Sequence, residues 1–199
     1  RRPPRSTQSR SSAASDVYKR QGIKMYTSKK PIIQIAYAVK DVEKAASFWS
    51  KKFNIGPFYI NEHIQISNTL VNKEISEFDH SSAYGWKENM MIELICDHKI
   101  KDSPKNSSQN GIHHIAWIAP DFDKERKILE ENDCIEVLSA NVGHRDGMRF
   151  AWFDPGNDIN HFYEIYEKSQ EIDNFYSFLH EQSKKWDGFN PVRDIADIN

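Results

Sequence analysis

The stretch QIAYAVKDVEK, residues 34–44, returns as HIAWIAPDFDK at residues 114–124, a gapless match at an offset of 80. Self-similarity at a fixed offset marks a duplicated structural unit. In each copy a short run of β-branched, aromatic and small apolar residues reaches an aspartate, Asp41 or Asp121. That grammar reads as a strand followed by a helix N-cap, because a short side-chain carboxylate can accept the unsatisfied N–H groups of a first helical turn. The helices predicted next are VEKAASFWSKKFN and FDKERKILEEN. In the first, Val42, Ala45, Ala46 and Trp49 follow helical spacing; in the second, Phe122 stands nearly two turns before Ile128 and Leu129. Each helix therefore has one face to bury.

Beyond each helix the pattern turns to strands. Copy one offers PFYINEHIQIS, ISEFDHSSAYGW and NMMIELICDH; copy two offers CIEVLSANV, GMRFAWFDPG and INHFYEIYE. Glycines, Asn110 and the Asp154-Pro155-Gly156 turn punctuate them. The reading is an α+β protein of two βαβββ modules, at residues 30–98 and 111–168, joined by a polar linker at 99–110. Residues 169–199 form a C-terminal helix and tail, the helix over IDNFYSFLHEQSKKW and the tail beginning WDGFNPVR.

The remaining composition excludes several classes. No apolar run approaches the roughly 20 residues of a membrane-crossing helix. The formal charge of −2 divides into +5 over residues 1–21 and −7 over the rest. An acidic body lacks the clustered Lys and Arg that nucleic-acid phosphates require, so nucleic acid is not an expected partner. Residues 1–24 hold almost nothing to bury and read as a disordered leader. SSAASDVYKRQ within it resembles translated adaptor sequence, and Met25 follows closely as an initiator, so the leader is read as non-native and left out of the functional argument. Cys96 and Cys134 are too few for a disulfide framework and read as reduced core thiols, which suits a cytoplasmic location.

The repeat also matches polar residues. Gln34 and His114 occupy the same place in the first strand of each copy, and Glu93 (MMIELI) and Glu164 (HFYEIY) the same place in the last. Alternation turns each glutamate to the face opposite its apolar neighbours, Ile92 and Leu94 or Tyr163 and Ile165. A glutamate on the outer face of an antiparallel sheet is ordinary, and a single histidine is usually structural. Two carboxylates, an imidazole and an amide oxygen at equivalent points of two related sheets can nevertheless converge on one ion if the sheets curl around a cleft.

QIAYAVKD, HIAWIAPD, MIELI and the DPG turn followed by FYEIY resemble the vicinal oxygen chelate superfamily over about residues 32–167. The resemblance implies paired βαβββ modules forming a curled mixed sheet around a metal cleft. It puts the four ligand positions on Gln34, Glu93, His114 and Glu164, the set used by glyoxalase I of the animal type; methylmalonyl-CoA epimerase, a relative, has His at the first place. It also implies a divalent cofactor (Zn, Ni, Co or Mn), Glu164 and Glu93 as candidate bases, and proton transfer beside a chelated oxygen of a small-molecule substrate. A second copy of the chain is the other expected partner. An extradiol-type dioxygenase needs two histidines and one carboxylate, and Glu93 stands where the second histidine belongs. A metal-free binding module of the same fold is the runner-up, disfavoured by both glutamates.

Other residues read as structural. His113 alternates to the face opposite His114, and His161 to the face opposite Glu164. Trp49, Trp117, Trp152 and Phe150 are core or cleft wall. His144 and Arg145 sit in a Gly-flanked loop, VGHRDG, where they could contact an anionic substrate, and the loop is read as solvated. His80, Glu77 and Asp79 lie in the third strand of copy one, near where the epimerase places a second catalytic glutamate, in an alignment that loop length leaves open. No role attaches to WDGFNPVR.

Overall fold

A computed structural model describes residues 31–98, 111–156 and 159–198; the leader and the linker expected at 99–110 lie outside them. The first copy runs β1 (Gln34–Ala38), α1 (Val42–Phe53), β2 (Phe58–Asn61), β3 (Ile66–Val71), β4 (Glu74–Ile75), β5 (His80–Lys87) and β6 (Met90–Asp97). The second runs β7 (Gly111–Ala119), α2 (Phe122–Glu131), β8 (Ile135–Val142), β9 (Arg149–Asp154) and β10 (Phe162–Glu167). Helix α3 (Gln170–Lys185), β11 (Val192–Asp194) and a 3-10 turn (Ile195–Asp197) close the described chain.

Both expected caps form. Asp41 accepts from the Lys44 amide at 2.9 Å and Asp121 from that of Lys124 at 3.0 Å. Asn54 ends α1 in the left-handed conformation with φ 53°, which asparagine tolerates at a helix end. Val42 and Ala46 pack α1 onto Ile92 and Leu94, and Phe122 and Leu129 pack α2 onto Trp117 and Ile165.

The strands form one mixed sheet in the order β11-β2-β5-β6-β1-β7-β10-β9-β8-β3-β4. Each copy contributes four adjacent strands, β2-β5-β6-β1 and β7-β10-β9-β8, and the copies meet where β1 runs antiparallel to β7. Helices α1 and α2 cover the convex face. The concave face is buried too, so β6 is apolar nearly throughout, as a strand covered on both sides must be.

Two expectations of strand layout are corrected. PFYINEHIQIS is divided between β2 and β3, and ISEFDHSSAYGW between β4 and β5. The β3–β4 hairpin leaves its own module and pairs with β8, at the far end of the sheet. Only residues 62–65 connect β2 to β3, and a link of that length reaches about 17 Å. The two ends of the sheet are thus drawn together, and the sheet curls into an unclosed cup. Unequal edges broke the symmetry that periodicity predicted: the copies share a β1/β7 seam, and their outer strands do different work.

The tail also has a place. β11 pairs in parallel with β2 through Val192, Arg193 and Asp194. A Cβ added at Gly56 would lie 2.9–3.0 Å from the Trp186 ring, so this tryptophan seats directly on that glycine. Among the described residues no helix is long and apolar enough to cross a membrane.

Candidate metal centre

Period-two alternation along the strands beside the seam sets the site. Gln34 on β1, Glu93 on β6, His114 on β7 and Glu164 on β10 all point to the concave face, while their neighbours Leu94 and Ile165 point to the helices. The glutamates do turn away from their apolar neighbours. The ordinary reading of an outer-face glutamate is corrected, because that face is the inside of the cup: Glu93 and Glu164 are each 2% exposed, His114 1% and Gln34 0%.

The structure brings all four side chains together. Gln34 Nε2 donates to Glu93 Oε2 at 2.5 Å, and lies 2.8 Å from His114 Nε2 and 3.4 Å from Glu164 Oε2. His114 Nε2 lies 2.7 Å from Glu164 Oε2 and 3.2 Å from Glu93 Oε2. The remaining carboxylate oxygens are held from behind. Ser82 Oγ donates to Glu93 Oε1 at 2.6 Å, and the Trp152 indole N–H donates to Glu164 Oε1 at 2.7 Å.

Charge inside this pocket is balanced locally. Burial alone would lower the basicity of His114, but Glu164 and Glu93 outweigh it and raise its pKa from 6.5 to about 10. Burial would raise the Glu93 carboxyl, yet the hydrogen bonds and charge of His114, with the Ser82 hydroxyl, bring it below its usual value.

The donor set fits a divalent ion. One ligand atom each from Glu93, His114 and Glu164 lies within 4.8 Å of the others. His113 Nδ1 is 2.8 Å from His114 Nδ1. A neutral His114 that donates this proton to His113 presents its Nε2 lone pair to the cluster, the state a ligand needs. Gln34 Oε1 accepts from the Tyr176 hydroxyl at 2.6 Å. A half-turn of the amide would aim Oε1 into the cluster and leave Nε2 to donate to the Tyr176 oxygen. Mixed oxygen and nitrogen donors suit Zn, Ni, Co or Mn better than thiol-seeking ions.

His113 is a correction. Ala36 faces His114 and Tyr37 faces Ile112, so His113 is the extra residue of a β-bulge. The bulge turns it onto the same side as His114, where its ring meets Trp152 edge-on at 4.7 Å. Strict alternation could not reveal that. His161 lies beside Tyr163, on the helix-facing side away from Glu164.

The cup encloses a cavity of about 490 Å³, bounded by Glu93, His114 and Glu164 at its floor. Trp152 and Phe150 are wall residues, whereas Trp117 is core against α2 and Trp49 packs with the first-helix cluster. His80 also lines the cavity; desolvation lowers its pKa to about 4, and its Nδ1 has no partner. Asp79 pairs instead with exposed His63 at 2.9 Å, and Glu77 is exposed. His63, Asp79 and His98 form a second ligand-type group, in which the two imidazoles stack at 4.4 Å and 24°. His144 reaches the cavity rim, and Arg145 is exposed.

Helix α3 was missed as part of the site. Ile172, Phe175 and Tyr176 line the cavity, and Ile172, Tyr176 and Leu179 bury against Tyr59 and Met91. Its apolar face signalled a docked helix; the docking place lay outside the repeat and had no sequence signal.

Residues 33–152 match the profile of the Glyoxalase/Bleomycin resistance protein/Dioxygenase superfamily. A hypothetical protein from Bacillus halodurans C-125 is similar in structure, with 17% identity, TM-score 0.49, and coverage of 72% of this chain and 97% of the other. A Streptomyces coelicolor methylmalonyl-CoA epimerase variant in complex with 2-nitronate-propionyl-CoA gives 16%, 0.44, 71% and 99%. Methylmalonyl-CoA epimerase from Mycobacterium tuberculosis gives 12%, 0.47, 75% and 97%. No curated protein matches the chain.

Proposed function

Because the chain belongs to the glyoxalase/bleomycin resistance protein/dioxygenase superfamily, we propose that it is a divalent-metal-dependent enzyme of the glyoxalase type, a lyase or isomerase that moves a proton beside a chelated substrate oxygen. The observation behind this reading is the convergence of Gln34 with Glu93, His114 and Glu164, the last three of which line the floor of a cavity open at its mouth.

Gln34 would supply a neutral oxygen, His114 an imidazole nitrogen, and Glu93 and Glu164 carboxylate oxygens. A bound divalent ion supplies Lewis-acid polarisation of a chelated carbonyl. The acid–base work falls to the glutamates: Oε2 of Glu93 or Glu164 takes up the carbon-bound proton and returns it to the neighbouring position. Ser82 and Trp152 keep each Oε1 engaged, which directs Oε2 inward. Tyr176 and Ile172 cover the floor and exclude water, so the developing negative charge is met by fixed groups.

One observation favours a metal-free binding module instead: Gln34 Nε2 donates to Glu93 Oε2 and lies within reach of Glu164 Oε2, and His114 Nε2 pairs with Glu164 Oε2, so the cluster is hydrogen-bonded without an ion. Metal analysis of the purified chain after supplementation with Zn, Ni, Co and Mn, beside Glu164→Gln, separates the two. One ion per chain in the wild type and a large loss in the variant support the enzyme. No stoichiometric ion with any of the four metals leaves the binding module.

A further inference from the structure

The walls of the cavity above the four residues are mostly apolar. Met91, Phe150, Trp152, Ile172, Phe175 and Tyr176 give it apolar and aromatic surface from both halves of the sheet and from α3. Among the described residues that line it, none is lysine or arginine. Its acids are Glu93 and Glu164 at the floor and Asp146, Glu167 and Glu171 toward the mouth.

Two of the nearby cations, Arg149 and Arg193, are committed elsewhere, and Arg145 of the mouth loop is exposed and does not line the cavity. Arg149 pairs with Glu167 at 2.7 Å and Asp123 at 2.9 Å, and lies over the Phe122 ring. Arg193 lies over the Tyr59 ring and donates to the Tyr59 hydroxyl at 3.2 Å. Arg149 matches one mouth acid, which leaves Asp146 and Glu171 exposed and unmatched by any lining cation. An anion entering here meets like charge at the mouth and, among the described lining residues above the floor, no lysine or arginine, a field that lowers both its encounter rate and its affinity. Among the described lining residues, the buried side-chain atom left without a hydrogen-bond partner is Nδ1 of His80, a residue 5% exposed. A single buried imidazole suits one polar atom on an otherwise apolar molecule.

We propose that this cavity takes an uncharged, apolar-bodied molecule, with His80 meeting one polar atom, and rejects carboxylate-, phosphate- and sulfonate-bearing ligands. The proposal rests on the metal-enzyme reading only for the adjacent oxygens a substrate would present to the floor. The charge preference is a property of the walls.

Two fluorescent probes with one skeleton test it: phenylnaphthylamine, which is uncharged, and anilinonaphthalene sulfonate, which adds an anion. Titrated into the full chain, both metal-free and zinc-loaded, the uncharged dye is expected to bind at least about tenfold tighter. Glu171→Lys, with Asp146→Lys as a second variant should the first misfold, is expected to narrow the gap to about threefold or less by strengthening sulfonate binding. Phe175→Ala is expected to weaken the uncharged dye about tenfold. Equal or tighter sulfonate binding, or failure of both dyes to bind, overturns the proposal. So does an uncharged-dye affinity unaffected by both Phe175→Ala and Met148→Trp, the latter at another residue lining the cavity, since the dye then sits elsewhere. In the zinc-loaded chain, maltol is expected to outcompete comenic acid, its ring-carboxylated relative. If zinc does not load while the dye preference stands, the metal reading falls and the charge preference remains.

Discussion

In the first half of the sheet Glu93 is held by a serine hydroxyl, Ser82 Oγ at 2.6 Å; in the second half Glu164 is held by an indole N–H, Trp152 Nε1 at 2.7 Å. The glutamates occupy matched positions in β6 and β10, but their supports do not match. Tyr84 of β5 faces Glu93 across the ladder as Trp152 of β9 faces Glu164. A hydroxyl is a light rotor that can follow a moving carboxylate. Trp152 cannot: its ring packs between Phe78, His113, His114 and Phe162. Duplication gave the centre two pairs of matched positions, and divergence behind them gave it one compliant support and one rigid support.

The largest expected effect tests the equivalence itself. Glu93→Gln and Glu164→Gln should each weaken metal binding by more than about 100-fold, beyond the loss typical of outer-shell partners. Competition titration with a chromophoric chelator measures both. A large loss in one variant alone would show that the halves do not share the ion.

Acid–base behaviour sharpens the comparison in the metal-stripped chain. The pKa of His114 is raised from 6.5 to about 10, so its stabilising contribution is complete below pH 6.5 and lost as pH climbs toward 10. The melting temperature should therefore fall by several degrees between pH 6.5 and 10. Glu93, held below its usual value, has the opposite sign: its contribution is present at neutral pH and lost on acidification below the ordinary carboxyl range. His114→Gln should flatten the alkaline limb. Glu164→Gln should flatten it more than Glu93→Gln, because Glu164 is the nearer carboxylate, 2.7 Å against 3.2 Å.

The supports themselves come next. Trp152→Phe and Ser82→Ala each strand a buried carboxylate oxygen and should each cost about 10- to 100-fold in metal affinity. Their thermal effects should differ. Trp152→Phe should destabilise the fold by about 1–3 kcal/mol more than Ser82→Ala, since it also removes ring contacts in a close-packed core. Equal melting temperatures for the two variants would mean that the indole is no more rigid a support than the hydroxyl.

What was legible in the sequence follows the same division. The convergence of the four positions was implied by the family resemblance, and the seam of β1 and β7 was not read from the sequence; the matched places of Gln34 with His114 and of Glu93 with Glu164 came from period-two alternation and an offset of 80, which depend on local order alone. Asp41 and Asp121 announced their helices for the same reason. The path of β3 and β4 onto β8 left no trace, because pairing between strands distant along the chain has no local signature and ISEFDH differs little from a strand of its own sheet. His113 was assigned to the wrong face because a bulge adds one residue without changing composition. Helix α3 was visible as an amphipathic helix, yet its hydroxyl on the centre was not, since Tyr176 reaches Gln34 across 142 positions.

That hydroxyl gives the smallest expected effect, and it tests whether the part of the chain outside the repeat belongs to the centre. Tyr176 is 8% exposed and its ring packs with Ile172, Leu179, Tyr59 and Met91, so Tyr176→Phe keeps the packing and removes one hydrogen bond. Gln34 then loses the partner that holds its amide, and a buried polar atom left unpaired costs about 1–3 kcal/mol. If Tyr176 only docks the helix, the variant should melt lower with unchanged metal affinity. If it also orients Gln34 as a ligand, metal affinity should drop about tenfold, in line with other outer-shell partners. The Co(II)-substituted chain should then show a shifted visible absorption, because an amide free to turn changes the ligand field. Gln34→Ala combined with Tyr176→Phe should show no further loss, since the hydroxyl acts through the amide. Full additivity in that cycle would remove α3 from the centre and return it to the wall of the cavity.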